Sequence, residues 1–175
     1  MIKILSLLIV LFLGISTESL GQNTLITYPA SDKYIQFIGR HEMIDSSQIK
    51  TSAPGAYLQF KFFGTECRLK INDENKWNKY GNYLQIIIDD SITYKVKLSP
   101  TDNEVILAKG LPIGEHKIII SKATEAGIGS VTFKEISVEK LLPPDPKPLR
   151  KIEFVGNSIT AGLGNDQSMI PCNAG

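Results

Sequence analysis

The residues best suited to chemistry lie late in the chain. An apolar run, Lys151-Ile152-Glu153-Phe154-Val155, meets Gly156-Asn157-Ser158-Ile159-Thr160 and passes into Ala161-Gly162-Leu163-Gly164. A strand that ends in a sharp glycine turn can leave a serine hydroxyl exposed at the end of a sheet, where it can act as a nucleophile. The hydroxyl is weak until a base takes its proton and N–H donors stabilise the oxyanion. Gly156 and Asn157 shape the turn, and the backbone N–H of Ser158 is itself a candidate donor. The α/β-hydrolase elbow needs glycine where Thr160 stands. By itself the motif therefore fits a nucleophile turn and a plain turn after a strand about equally.

Other chemically interesting residues have plainer readings beside the functional one. The only histidines are His41 and His116. His116 reads as a partly exposed residue at a strand start, and His41 as a residue just past a strand; neither reads as a base for Ser158. Trp77 and Tyr80 lie in a polar loop, residues 72–81. Their rings fit stacking on a sugar, and equally capping of a core or packing at an interface. Asn72, Asp73 and Asn75 read as turn formers in that loop. Asp89 and Asp90 read as a hairpin turn ahead of a calcium site. No Cys/His group has metal-ligand spacing, and nothing in the sequence calls for a cofactor. Cys67 and Cys172 read as a buried thiol and an unpaired loop cysteine ahead of a bridge, because spacing alone defines no disulfide.

These residues need a scaffold, and the totals allow one. The chain has 175 residues, 42% hydrophobic and 21% charged, so a packed core is feasible. Its 19 basic and 18 acidic residues leave a formal charge of +1, which gives no electrostatic reason for a nucleic-acid or anionic-lipid partner. At the N-terminus, Lys3, the apolar Ile4–Leu13 and Ser19-Leu20-Gly21 read as a signal peptide cleaved after Gly21. That reading implies export, with no membrane attachment afterwards; a retained anchor is the alternative.

Between residues 22 and 142 the pattern is one of short strands. Residues 22–32 read as a lead-in. Strand chemistry follows at Tyr34–Ile38, Tyr57–Phe63, Glu66–Ile71, Tyr83–Ile88, Ile92–Leu98, Glu104–Leu107, His116–Ile120 and Ser130–Val138. Tyr83–Ile88 reads as buried on both faces. Gly64 and the Gly110–Gly114 segment read as breaks between strands. With no convincing amphipathic helix, the spacing predicts an all-β antiparallel sandwich or jelly roll. Residues 143–150 hold four prolines in Pro143–Pro148 and read as a stiff linker. Residues 151–175 read as the first strand and turn of an α/β domain, too short to close a core and hence incomplete.

Taken together, these stretches resemble a known family. Phe154–Gly164 resembles the first block of the SGNH (GDSL-like) hydrolases. Tyr34–Arg40, Gly110–His116, Lys122–Ala126 with Val131–Phe133, and the proline-rich joint resemble carbohydrate esterase family two. The resemblance implies an N-terminal jelly roll followed by an SGNH esterase domain, and metal-free removal of acetyl groups from polysaccharides such as xylan and glucomannan. It assigns Ser158 as the nucleophile and an oxyanion donor. Asn157 stands where the family often has Asp, a change expected to be tolerated. The family's later oxyanion donors and its late catalytic histidine have no counterpart here, so an inactive 175-residue chain is expected. The alternative from a different class is a non-catalytic β-sandwich that binds carbohydrate or another protein.

Overall fold

The computed structural model describes residues 24–76, 81–147, 149–150, 152 and 155–157. Among the described residues, nine strands and one short 3₁₀ turn form in the order β1 (Ile26–Pro29), β2 (Gln36–Ile38), β3 (Glu42–Met43), β4 (Ile49–Thr51), β5 (Tyr57–Asp73), β6 (Tyr83–Ile88), β7 (Ile92–Lys97), β8 (Thr101–Lys122), the turn Ala126–Ile128, and β9 (Val131–Leu142). All pairings are antiparallel. The order is β3-β4-β9-β5-β8-β6-β7, with β1 added to β9 and β2 to β5. This is the all-β jelly roll that the spacing of apolar runs predicts. Among the described residues no helix is long and apolar enough to cross a membrane.

The long strands differ from the sequence expectation. Tyr57–Phe63 and Glu66–Ile71 are one strand, β5, and Glu104–Leu107 and His116–Ile120 are one strand, β8. Gly64 pairs with Gly114 inside the ladder, so the glycines mark a bend and not a break. Inward-facing residues of β5 are Leu58, Phe60 and Phe62 before the bend, then Cys67, Leu69 and Ile71 after it. The switch from even to odd positions follows from the irregular register, which lets one strand keep its apolar side inward on both halves. Residues 26–29, expected within a lead-in, form β1 against β9. β6 is buried on one face only: Leu84, Ile86 and Ile88 are buried, while Tyr83, Gln85 and Ile87 are half-buried.

One carboxylate holds the bend of β5. Opposite the three residues Gly64–Glu66, β9 supplies the single residue Glu139. Its carboxylate accepts from Thr65 N at 2.8 Å, Thr65 Oγ1 at 2.9 Å and Glu66 N at 3.4 Å. Burial would raise the pKa of this group, but the Thr65 and Glu66 hydrogen bonds outweigh burial and hold it below the usual value. Gly64 sits at φ +149°, and a Cβ there would lie 1.9 Å from Glu139 Oε2. Displacing the flexible carboxylate would make room, but at the loss of its hydrogen bonds. Gly64→Ala and Glu139→Ala should therefore each lower stability by about 1–3 kcal/mol, and the double variant by less than their sum. Urea unfolding of the three variants checks this; additive losses would mean the two positions are independent.

A second brace works through His116. The expectation of a partly exposed strand-end residue fails: His116 lies within β8 and is 7% exposed. Its Nε2 lies 2.8 Å from Pro112 O, in the bulged part of β8, and its Nδ1 lies 2.7 Å from Asp89 Oδ2. Burial alone would lower its pKa; the Asp89 carboxylate and Pro112 carbonyl outweigh that and raise it. Asp89 and Asp90 form the expected hairpin turn, at φ 51° and 54°, as a type I′ turn requires. Asp89 Oδ1 also accepts from Lys117 N, so the hairpin tip is tied to β8.

Candidate functional site

Of the residues singled out for chemistry, Ser158, Trp77 and Tyr80 lie outside the described residues, as does Cys172. Gly156 and Asn157 are described; both are exposed and lie in irregular backbone. Ile152 and Val155, from the expected strand, are exposed too. β9 ends at Leu142 and the proline-rich stretch begins there. That stretch is not free of the sandwich at its start. Asp145 Oδ1 pairs with Lys61 Nζ at 2.9 Å, and Asp145 O accepts from Gln36 Nε2 at 2.9 Å. Cys67 is a free, fully buried thiol, and burial pushes its pKa well up. His41 is exposed, with Nδ1 3.0 Å from Gly39 O and its ring 4.6 Å from that of Phe37. Among the described residues no group of three His, Cys, Asp or Glu side chains gathers to hold a metal.

The polar loop after β5 is where the structure adds most. Asn72 and Asp73 are not turn residues but the end of β5, and Asp73 is 2% exposed. Its carboxylate reaches both flanks of the segment 77–80. Oδ1 accepts from Asn75 N at 3.0 Å and from Asn82 Nδ2 at 2.6 Å, and Oδ2 accepts from Asn82 N at 2.8 Å. Asn75 is buried in the left-handed region at φ 41°, and its Oδ1 has no hydrogen-bond partner among the described residues. Glu74 closes the same loop from outside: its Oε2 accepts from Ser130 N and Oγ, both at 2.7 Å, while Glu74 N donates to Ser130 O at 3.1 Å. The Ser130 bonds hold the Glu74 carboxyl below its usual pKa. Gly81 has no room for a side chain, because a Cβ would lie 2.4 Å from Leu98 O.

Beneath this loop the chain buries a lysine. Lys122 ends β8 on the same side as Ile118 and Ile120, and is fully buried with them. Its Nζ donates to Thr124 O at 2.6 Å, Thr124 Oγ1 at 3.2 Å and Glu125 O at 2.9 Å. Thr124 Oγ1 in turn donates to Asn82 Oδ1. Desolvation lowers the Lys122 pKa to about 8, against the opposing fields of Asp73 and Glu125. Sequence reading did not find this lysine. The available signal was a charged residue at the inward parity of an isoleucine strand.

Comparison with known proteins places this scaffold. The family description "Carbohydrate esterase 2 N-terminal" matches residues 37–146. The chain is 35% identical over 147 residues to the cellulase/esterase CelE of Acetivibrio thermocellus, covering 79% of the chain and 17% of that protein. It is 30% identical over 155 residues to an acetylxylan esterase/glucomannan deacetylase of Cellvibrio japonicus, covering 87% of the chain and 42% of that protein. A solved family two carbohydrate esterase from Cellvibrio japonicus superposes with a TM-score of 0.74 at 28% identity, over 86% of this chain and 46% of its own. The chain thus spans less than half the length of each of these relatives.

Proposed function

Because the chain belongs to the family described as Carbohydrate esterase 2, N-terminal, we propose that it serves an exported esterase that removes O-acetyl groups from plant-type polysaccharides. The observation that supports this reading best is the 35% identity over 147 residues to a cellulase/esterase, joined by 30% identity to an acetylxylan esterase/glucomannan deacetylase. In this reading Ser158 attacks the acetyl carbonyl and its backbone N–H helps hold the oxyanion, with Gly156 and Asn157 shaping the turn. Trp77 and Tyr80 offer ring faces to the sugar chain. Residues 1–21 direct export. The serine mechanism asks for no metal or cofactor, and acetylated polysaccharide or oligosaccharide is the partner.

The second reading is a non-catalytic carbohydrate-binding sandwich. What favours it is that the strands of the sandwich run from Ile26 to Leu142, most of the 175-residue sequence, and that His116 has both ring nitrogens engaged there. Acetate release from acetylated xylan and glucomannan, measured beside retention on the same polymers, separates the two readings. Assayed alone, the 175-residue chain should release acetate at the background rate, since neither His41 nor His116 reads as a base for Ser158. Release well above background that Ser158→Ala removes would overturn that expectation. Retention without release, lost in Trp77→Ala, would favour the binding reading.

A further inference from the structure

The motif Gly110-Leu111-Pro112-Ile113-Gly114-Glu115-His116 carries no role in the proposed chemistry, and in the fold it forms an excursion within β8. The register of β5 and β8 passes from Gly64–Gly114 to Glu66–Lys109, so residues 110–113 have no register partners on β5. Gly110 stands at φ +75°, and a Cβ on Gly110 or Gly114 would meet nothing within 4 Å. Both ends of the excursion therefore have room to turn. Within it Leu111 packs against the core, while Ile113 is 63% exposed. The buried His116 ring reaches the middle of the excursion, with Nε2 2.8 Å from Pro112 O.

The two bonds of the imidazole fix its charge. Pro112 O is a carbonyl and only accepts. Asp89 Oδ2 belongs to a carboxylate whose other oxygen accepts from Lys117 N at 2.8 Å. Burial would raise the Asp89 pKa, but the His116 and Lys117 hydrogen bonds outweigh burial and lower it, so this group too only accepts. A ring with acceptors at 2.7 and 2.8 Å on its two nitrogens needs both protons. Of the elements packed around it, the β6–β7 turn brings Asp89 and β9 brings Glu139, both favouring the cation, while β5 brings the uncharged Phe62 ring at 5.5 Å. When one proton leaves, the bond to the carboxylate is the stronger and keeps the other. Nε2 then turns a lone pair on Pro112 O, and the carbonyl has to move away. We propose that protonated His116 is a latch that holds residues 110–114 of β8 to the β6–β7 hairpin, and that loss of one ring proton releases them. The latch is closed below the ordinary histidine value and opens as pH climbs through the raised value of the folded chain. Opening uncovers Leu111 beside the exposed Ile113, so the sandwich shows more apolar surface in alkaline than in acidic surroundings.

Nitrogen NMR of the imidazole ring in the 175-residue chain reads the charge of His116, and the backbone amides of Leu111, Ile113 and Gly114 read the excursion. At about pH 5.5 both ring nitrogens should carry protons. As pH rises the Nε2 proton should leave, and the three amides should shift with the same midpoint. Their hydrogen exchange, divided by the intrinsic base-catalysed rate, should speed up about tenfold through that midpoint. Asp89→Asn removes the carboxylate and suits the turn, since asparagine tolerates the left-handed backbone at φ 51°. It should lower the His116 midpoint by about one pH unit. A midpoint unchanged in Asp89→Asn would remove the hairpin from the latch. The wild-type titration decides the rest without any variant having to fold. A His116 that titrates while the amides of 111–114 stay still, or a ring already neutral at about pH 5.5, would overturn the latch.

Discussion

Ser158→Ala, placed in an active esterase that carries this segment, should lower kcat for acetate release by about a thousandfold or more, as the proposed nucleophile role requires. KM should move little, because in the proposed mechanism the hydroxyl forms its bond to the acetyl carbon on the way to the transition state and contributes little to ground-state binding. Any residual rate would come from oxyanion donors and substrate positioning, which survive the substitution. Asn157→Asp, one position earlier, should leave the rate within a few-fold, since its side chain is not the nucleophile. The check is steady-state hydrolysis of acetylated xylan, together with burst-phase trapping of an acetylated enzyme. A Ser158→Ala protein that keeps a tenth of the wild-type kcat would remove Ser158 from the role.

The second large effect concerns stability and has an unusual sign. Burial lowers the Lys122 pKa to about 8 in the folded chain, against 10.5 for a lysine in water. In the pH interval between them the unfolded chain binds more protons than the folded one, so folding stability rises with pH there. Below pH 8 the cost of the buried charge is fully present; above 10.5 it is gone. The difference corresponds to about 3 kcal/mol. Asp73 and Glu125 are the charged groups whose fields act on the ammonium, and both already favour the protonated form. His116 contributes with the opposite slope at lower pH. Its raised pKa gives stability that is complete below its unfolded value and lost as pH climbs through the folded one. Urea unfolding of the wild type and Lys122→Met from pH 7 to 10.5 isolates the lysine, because other titrations cancel in the difference. The wild type should gain about 3 kcal/mol on the variant across that range. A flat or falling difference would show that burial does not lower the Lys122 pKa in the folded protein.

The sandwich was largely legible in the sequence, and the reason is local. Tyr83–Ile88 is a nearly continuous apolar run and Ile92–Lys97 alternates, with two aspartates between them, and they fold as the expected hairpin. What stayed hidden were features that depend on register across the sheet. Gly64 looked like a strand end because alternation broke there, whereas the strand continues with its parity reversed. His116 reads as partly exposed because it follows a turn and starts a strand, and only the fold brings Asp89 and Pro112 to its two nitrogens. Asp73 looked like a turn former because aspartate commonly is one, and its partners at Asn75 and Asn82 become visible only when the loop closes. The likeness of residues 154–164 to a hydrolase block named Ser158, but no local pattern could supply the geometry around it.

The parity reversal in β5 also bears on how this chain can vary in length. Residues 57–63 and 66–73 each keep an apolar side inward, but on alternate positions. Removing one residue at Thr65 would put Cys67, Leu69 and Ile71 on the same alternation as Leu58, Phe60 and Phe62, so a strand without the irregularity would still face all six inward. Removing two would keep the two halves on opposite parities while taking away the residues that reconcile them. Length changes at this point therefore act like shifts of a reading frame with a period of two. Relatives in which this strand runs without the bend should be shorter here by an odd number of residues.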